Sequence, residues 1–205
     1  MPNQLATSDN QTLRVAQLIE TMAMGGAEHL AVNIANHLAT EGHQSHLIVT
    51  QKPGVLSAKI LPTVHVHYLE FERASITNPF KFLWSLRRGT HLIRSIVDQH
   101  EVAVLQSHLP GANFFGLLLA WQKACSVLAT VHNNQEFRYG DADNPLLIRL
   151  RKWAYGRILS VTQGVVAVSE EVKDSLVAAL KASPTVARKI VVLNNAVAVP
   201  EEIGA

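Results

Sequence analysis

A pair of glycines set between an apolar run and an amphipathic run constrains this chain more than any other feature. Leu13-Arg14-Val15-Ala16-Gln17-Leu18-Ile19-Glu20 has strand length, Met24-Gly25-Gly26-Ala27-Glu28 follows it, and then Leu30, Ile34 and Leu38 recur every fourth residue until Gly42. A strand, a glycine turn and a helix in that order open a βαβ unit. Gly25 and Gly26 let the backbone turn sharply and come close to a ligand, and the helix start behind them offers free N–H groups to an anion. The same residues also suit an ordinary tight βα turn. Three familiar phosphate loops are excluded. The glycines are adjacent rather than spaced G-x-G-x-x-G, and the second strand ends at Gln51 where a ribose-binding acid would stand. There is no G-x-x-x-x-G-K-[ST] loop and no G-x-S-x-G elbow.

Further along, strand-like runs fall at 13–20, 44–51, 64–70, 102–107, 126–132, 164–169 and 189–194, with helical patterns at 26–41, 79–99, 111–124, 144–160 and 170–181. Runs such as Val102-Ala103-Val104-Leu105 and Val165-Val166-Ala167-Val168 are continuously apolar, as expected of parallel strands covered on both faces. The alternation predicts an α/β fold. It is a Rossmann-like, doubly wound parallel sheet of seven strands ordered 3-2-1-4-5-6-7, occupying residues 13–198. Residues 52–63 read as a loop or short turn, 1–12 as a flexible N-terminus and 199–205 as a tail or the start of a linker.

Hydrophobic residues make up 48% of the 205 and charged residues 17%, which excludes a disordered chain; a net charge of +2 gives no reason to expect nucleic acid. The polar first eleven residues carry no signal peptide, and no apolar run reaches membrane-spanning length, so a cytoplasmic setting is expected. Cys125, the single cysteine, reads as a small core residue in a reduced compartment.

Ligands of such folds bind outside the carboxyl ends of the strands, where strand order reverses. The loop of Gly25 and Gly26, His108 after the fourth run, His132 and Asn133 after the fifth, and Ser169 after the sixth all lie on that rim. A histidine there can bond a sugar hydroxyl or a phosphate oxygen, or simply cap a neighbouring backbone group.

With these residues in hand, the chain resembles the family 4 glycosyltransferases. The resemblance rests on Gly25-Gly26-Ala27-Glu28 before a helix ending Glu41-Gly42-His43, on Thr130-Val131-His132-Asn133, on Val166-Ala167-Val168-Ser169-Glu170 and on Lys189 to Val197. It implies half of a GT-B fold, in which two Rossmann-like domains face each other. It also implies retaining transfer of a sugar from a nucleotide-sugar co-substrate to a glycan or lipid-linked acceptor, without metal or other cofactor. Gly25 and Gly26 match the donor-phosphate loop, His132 the sugar-facing histidine and Ser169 the rim serine. Asn195 stands where the family usually has glycine. The nucleotide-binding lysine and arginine and the Glu-x7-Glu pair belong to a C-terminal domain and match nothing here. The chain is then the acceptor-side half of an enzyme, inactive for transfer alone, or a non-catalytic scaffold or split-enzyme subunit of the same fold.

Two surfaces stand outside that resemblance. On the helix at 79–99, Phe82, Leu83, Leu86, Ile93, Ile96 and Val97 form the expected core stripe, and Arg87, Arg88, His91 and Arg94 fall opposite, with Phe80 and Trp84 among them. Aromatics among arginines suit a peripheral contact with the inner membrane face or a lipid-linked acceptor, as they also suit a solvated basic face. Arg149, Arg151, Lys152, Trp153 and Arg157 repeat the theme. His65 and His67, two apart, point the same way on a strand, but no third ligand is evident from the spacing and no metal is expected.

Overall fold

The computed structural model describes residues 12–71, 74, 79–133, 145–160 and 162–194, without the side chains at 79, 146, 147, 150, 151, 154, 157 and 158. The expected N-terminal and C-terminal extensions, Asn195, and the side chains of Arg151 and Arg157 lie outside these residues. The strands are β1 (Arg14–Ile19), β2 (Gln44–Val49), β3 (His65–Tyr68), β4 (Val104–His108), β5 (Ser126–Val131), β6 (Gly164–Ala167) and β7 (Ile190–Val192). The helices are α1 (Gly26–Thr40), α2 (Pro79–Gln99), α3 (Leu109–Trp121), α4 (Pro145–Leu159), α5 (Glu170–Leu180) and α6 (Pro184–Ala187). All seven strands are parallel and ordered β3-β2-β1-β4-β5-β6-β7, as the alternation predicts. The stretch after β2 holds a 3-10 turn at Val55–Lys59. The short α6, capped by Ser183 ahead of Pro184, had no counterpart in the sequence reading.

Local chemistry sets the boundaries. Helix α1 ends where Gly42 takes φ +83°, with His43 N–H donating to the Leu38 carbonyl (3.0 Å) and Gly42 N–H to that of Ala39 (3.2 Å). That pair of bonds satisfies carbonyls the helix would leave open, and glycine takes the left-handed conformation without a Cβ clash. Asn113 fastens α3 to the sheet: it accepts from Ser107 Oγ (2.8 Å) and donates to the Thr130 carbonyl (2.9 Å).

The layering departs from the expectation of strands covered on both faces. Ile19, Leu47 and Val49 pack under Ala31, Val32 and Ala35 of α1 and Leu56 of the 3-10 turn. On the opposite face, Ala16, Leu18, Ile48, Leu105 and Val127 pack under α2 and α3, and Ala129, Val131, Val165, Ala167 and Ile190 under α4 and α5. Four long helices thus share one face and α1 takes the other alone. Among the described residues no helix covers the α1 face beyond β4, so Val104 and Val166 are only half-buried and Val191 is exposed. An apolar run in sequence gives the strand's hydrophobicity but not how many layers lie over it.

Candidate functional site

Where strand order reverses between β1 and β4, the α1 face turns polar. Gln17 pairs in register with Gln106, and His108 with Thr130. His132 follows β5 with the same alternation, so these side chains share one face. Three of them form a bonded chain running outward: Gln17 Oε1 to His108 Nε2 is 2.8 Å, and His108 Nδ1 to His132 Nε2 is 3.1 Å. Gln106 Nε2 donates to Thr130 Oγ1 (2.9 Å) alongside.

The chain of bonds couples donors and acceptors, so that each follows from the one before. With Gln17 presenting Oε1, His108 donates from Nε2, so its Nδ1 accepts from His132 Nε2–H. His132 Nδ1 then keeps a lone pair and can accept a ligand hydroxyl. Rotating the Gln17 amide reverses every donor in the series and turns His132 Nδ1 into a donor. Gln17 Nε2 has no partner among the described residues, so this short relay is the only constraint on its amide.

Burial decides the charge state. It lowers His108 to about 3, helped by the neighbouring His132, and lowers His132 to about 4 against an opposing pull from Glu28. Both imidazoles are therefore neutral near pH 7. They suit hydroxyl recognition rather than charge neutralisation of a phosphate. His108 is completely buried, so it acts on a ligand only through His132. Just beyond it, Leu109 holds φ +69°, a left-handed conformation costly for a branched side chain, at the turn into α3.

The glycine loop lies across the rim. Gly25 is the N-cap of α1 with φ −97°, and no side chain caps that helix. Glu28 is buried, accepts from Thr21 Oγ1 (2.9 Å) and folds back so closely that a Cβ on Gly25 would collide with its carboxylate. Gly26 faces open space, and among the described glycines only Gly42 has positive φ. The two glycines thus differ: Gly25 makes room for Glu28, and Gly26 leaves the helix entrance unobstructed. Glu28 itself takes the structural place at the helix start that its position predicts.

The other sequence-derived candidates spread around this centre. Ser169 caps α5, its Oγ accepting from Val172 N–H (3.2 Å), and retains a hydroxyl proton for donation. Asn133 is exposed beside His132. On α2, Phe80 and Trp84 are 86% and 63% exposed, and Arg88 stacks over the Trp84 ring at 5.4 Å. Two details of the α2 reading are corrected. Leu83 leaves the core stripe, being 66% exposed, while Phe82 and Leu86 beside it are half-buried. Arg94 leaves the free basic face, since it bonds Asp98 (3.2 Å) and Gln122 (3.3 Å). Arg87 and Arg88 remain exposed. Sequence reasoning also missed a cleft of about 450 Å³ beside them, lined by Glu70, Phe71, Ala74, Lys81, Trp84, Ser85 and Arg88. Gln17, buried in the first strand, was missed as well; a lone polar residue in an apolar run was its one signal.

With the geometry described, comparison with known proteins gives a consistent picture. The family model described as Glycosyltransferase Family 4 matches residues 24–199. A glycosyltransferase from Rickettsia africae ESF-5 superposes with a TM-score of 0.66 at 21% identity over 90% of this chain and 43% of its own. Anabaena Alr3699/HepE, solved in complex with UDP, gives 0.64 at 12% identity over 89% and 44%. Sucrose-phosphate synthase from Thermosynechococcus elongatus gives 0.66 at 15% identity over 89% and 48%. The chain thus spans less than half the length of these structures and has the fold of one half of a GT-B molecule. No curated protein sequence matches it.

Proposed function

The chain belongs to Glycosyltransferase Family 4, and from that premise we propose that it is the acceptor-side half of a retaining glycosyltransferase using a nucleotide-sugar donor. One observation carries this reading: the series Gln17–His108–His132 delivers a neutral, oriented imidazole to the strand ends beside the open Gly26 entrance of α1. A neutral His132 bonds a sugar hydroxyl, and the uncapped N–H groups of α1 face the donor's phosphates from the loop. Ser169 closes the far side of the rim. The acceptor, a glycan or lipid-linked saccharide, enters over α2, where Lys81 and Arg88 line the cleft and Phe80 and Trp84 flank it. Alr3699/HepE was solved with UDP, which supports a uridine nucleotide as the first donor to try.

Amide and imidazole NMR of the chain titrated with UDP-glucose tests the site. Shifts concentrated at Gly25, Gly26 and His132, and lost in His132→Ala with the fold intact, are expected. Shifts confined to other surfaces at millimolar sugar nucleotide would overturn the placement.

A further inference from the structure

Alternation along β2 and β3 sends His46, His65 and His67 to the sheet face opposite the Gln17 relay, toward the N-terminal half of the strands. Ala16 stands beside His46 on β1, and its small side chain leaves room there. His100, just past the end of α2, closes over the group. The His46 ring centroid lies 5.1 Å from that of His65, 5.5 Å from His67 and 4.8 Å from His100, and His67 lies 4.9 Å from His100. His46 Nδ1 and His67 Nε2 are 3.2 Å apart, and one nitrogen from each of His46, His67 and His100 lies within 4.8 Å of the other two.

Two imidazole nitrogens on one tetrahedral zinc ion, each at about 2.0–2.1 Å, stand about 3.3 Å apart. The first pair already has that spacing, and rotation of the half-buried His67 and His100 rings brings in the third. His46 is 2% exposed, and its Nε2 has no hydrogen-bond partner among the described residues.

We propose that His46, His67 and His100 bind a first-row divalent transition-metal ion, zinc foremost, with water completing the coordination. The ion clips the edge strand β3 and its neighbour β2 to the end of α2. An all-imidazole set selects zinc, nickel or copper over magnesium or calcium. The sequence offered only His65 and His67, so no metal was expected; the fold supplies the remaining ligands from a neighbouring strand and a helix end. Neither ligand set nor position overlaps the rim, so this inference stands apart from the sugar-transfer reading.

The test is calorimetric titration of the tag-free, chelator-stripped chain with zinc sulfate, with thermal melts in parallel. One equivalent should bind at micromolar or tighter Kd, and zinc at about a hundredfold over Kd should raise Tm by roughly 5–10 °C. His67→Gln and His100→Gln should each weaken binding at least thirtyfold. His37→Gln, on the surface of α1, should not. Because His46 is buried and its replacement risks the fold, it is left intact. Absence of stoichiometric binding at 100-fold excess zinc over protein, affinity unchanged in both variants, or equal binding of magnesium would each overturn the proposal.

Discussion

Single residues around the rim divide into those that make room and those that present chemistry, and the two glycines of the loop show the difference. A Cβ at position 25 would strike the Glu28 carboxylate, whereas one at position 26 meets nothing within 4 Å. Gly25→Ala should therefore displace Glu28 from Thr21 and destabilise the chain by about 1–2 kcal/mol, in line with a disturbed buried hydrogen bond. Gly26→Ala should leave Tm nearly unchanged and weaken only ligand binding. Chemical denaturation of both variants checks this, and equal stabilities would remove the distinction. From sequence the pair was legible as a turn at a helix start. Which glycine touches a side chain was not, because that depends on Glu28 folding back one turn. His132 was legible through its place after a strand. Its neutral state was not, since that follows from burial, which outweighs the opposing pull of Glu28.

At the scale of elements, strand order and the major helices were written in periodicity, because each βα unit needs only its own apolar pattern and its neighbours. Where an element lacks a layer beneath it, the pattern misled. Leu83 near the start of α2 lies outside, and the bare face beyond β4 left Val166 half-covered. The histidine cluster was illegible for a related reason: its ligands come from two strands and a helix end that only the fold unites. The first turns of α2 carry Phe80, Leu83 and Trp84 exposed beside Arg87 and Arg88. No described helix is long and apolar enough to cross a membrane. Basic residues at an anionic surface contribute about 1 kcal/mol each, so replacing Arg87 and Arg88 by glutamine should cut partitioning to anionic vesicles by roughly thirtyfold. Arg94→Gln should change it little, because Asp98 and Gln122 already hold that guanidinium. Vesicle sedimentation at low and high salt reads this out. Binding to neutral vesicles as strong as to anionic ones would assign the face to solvent.

The whole molecule should respond to acid through its buried histidines. His108 and His132 titrate at about 3 and 4 when folded and near 6.5 when unfolded, so between these values the unfolded chain binds more protons. The sign follows: stability is full above about pH 6.5 and falls as pH drops toward 4. The pair should cost on the order of 4 kcal/mol at pH 5, about half from each imidazole, seen as a falling Tm that His132→Gln partly flattens. The same neutrality limits what the chain can do by itself. A departing nucleoside diphosphate needs positive or strongly donating groups fixed where its charge develops. Among the described residues, the rim offers two uncharged imidazoles, a serine and the start of one helix. Arg87 and Arg88 lie instead on α2, on the acceptor side of the proposed site. On the proposed reading, transition-state stabilisation comes from a second half-molecule facing the rim; the chain itself spans less than half of its structural relatives. The purified 205-residue chain should accordingly bind UDP with a Kd of about 1 mM or weaker, about −4 kcal/mol. It should also show no transfer from UDP-glucose above background. Sustained turnover by this chain alone would mean that it holds a complete donor site, and the assignment of that site to a second half-molecule would have to be given up.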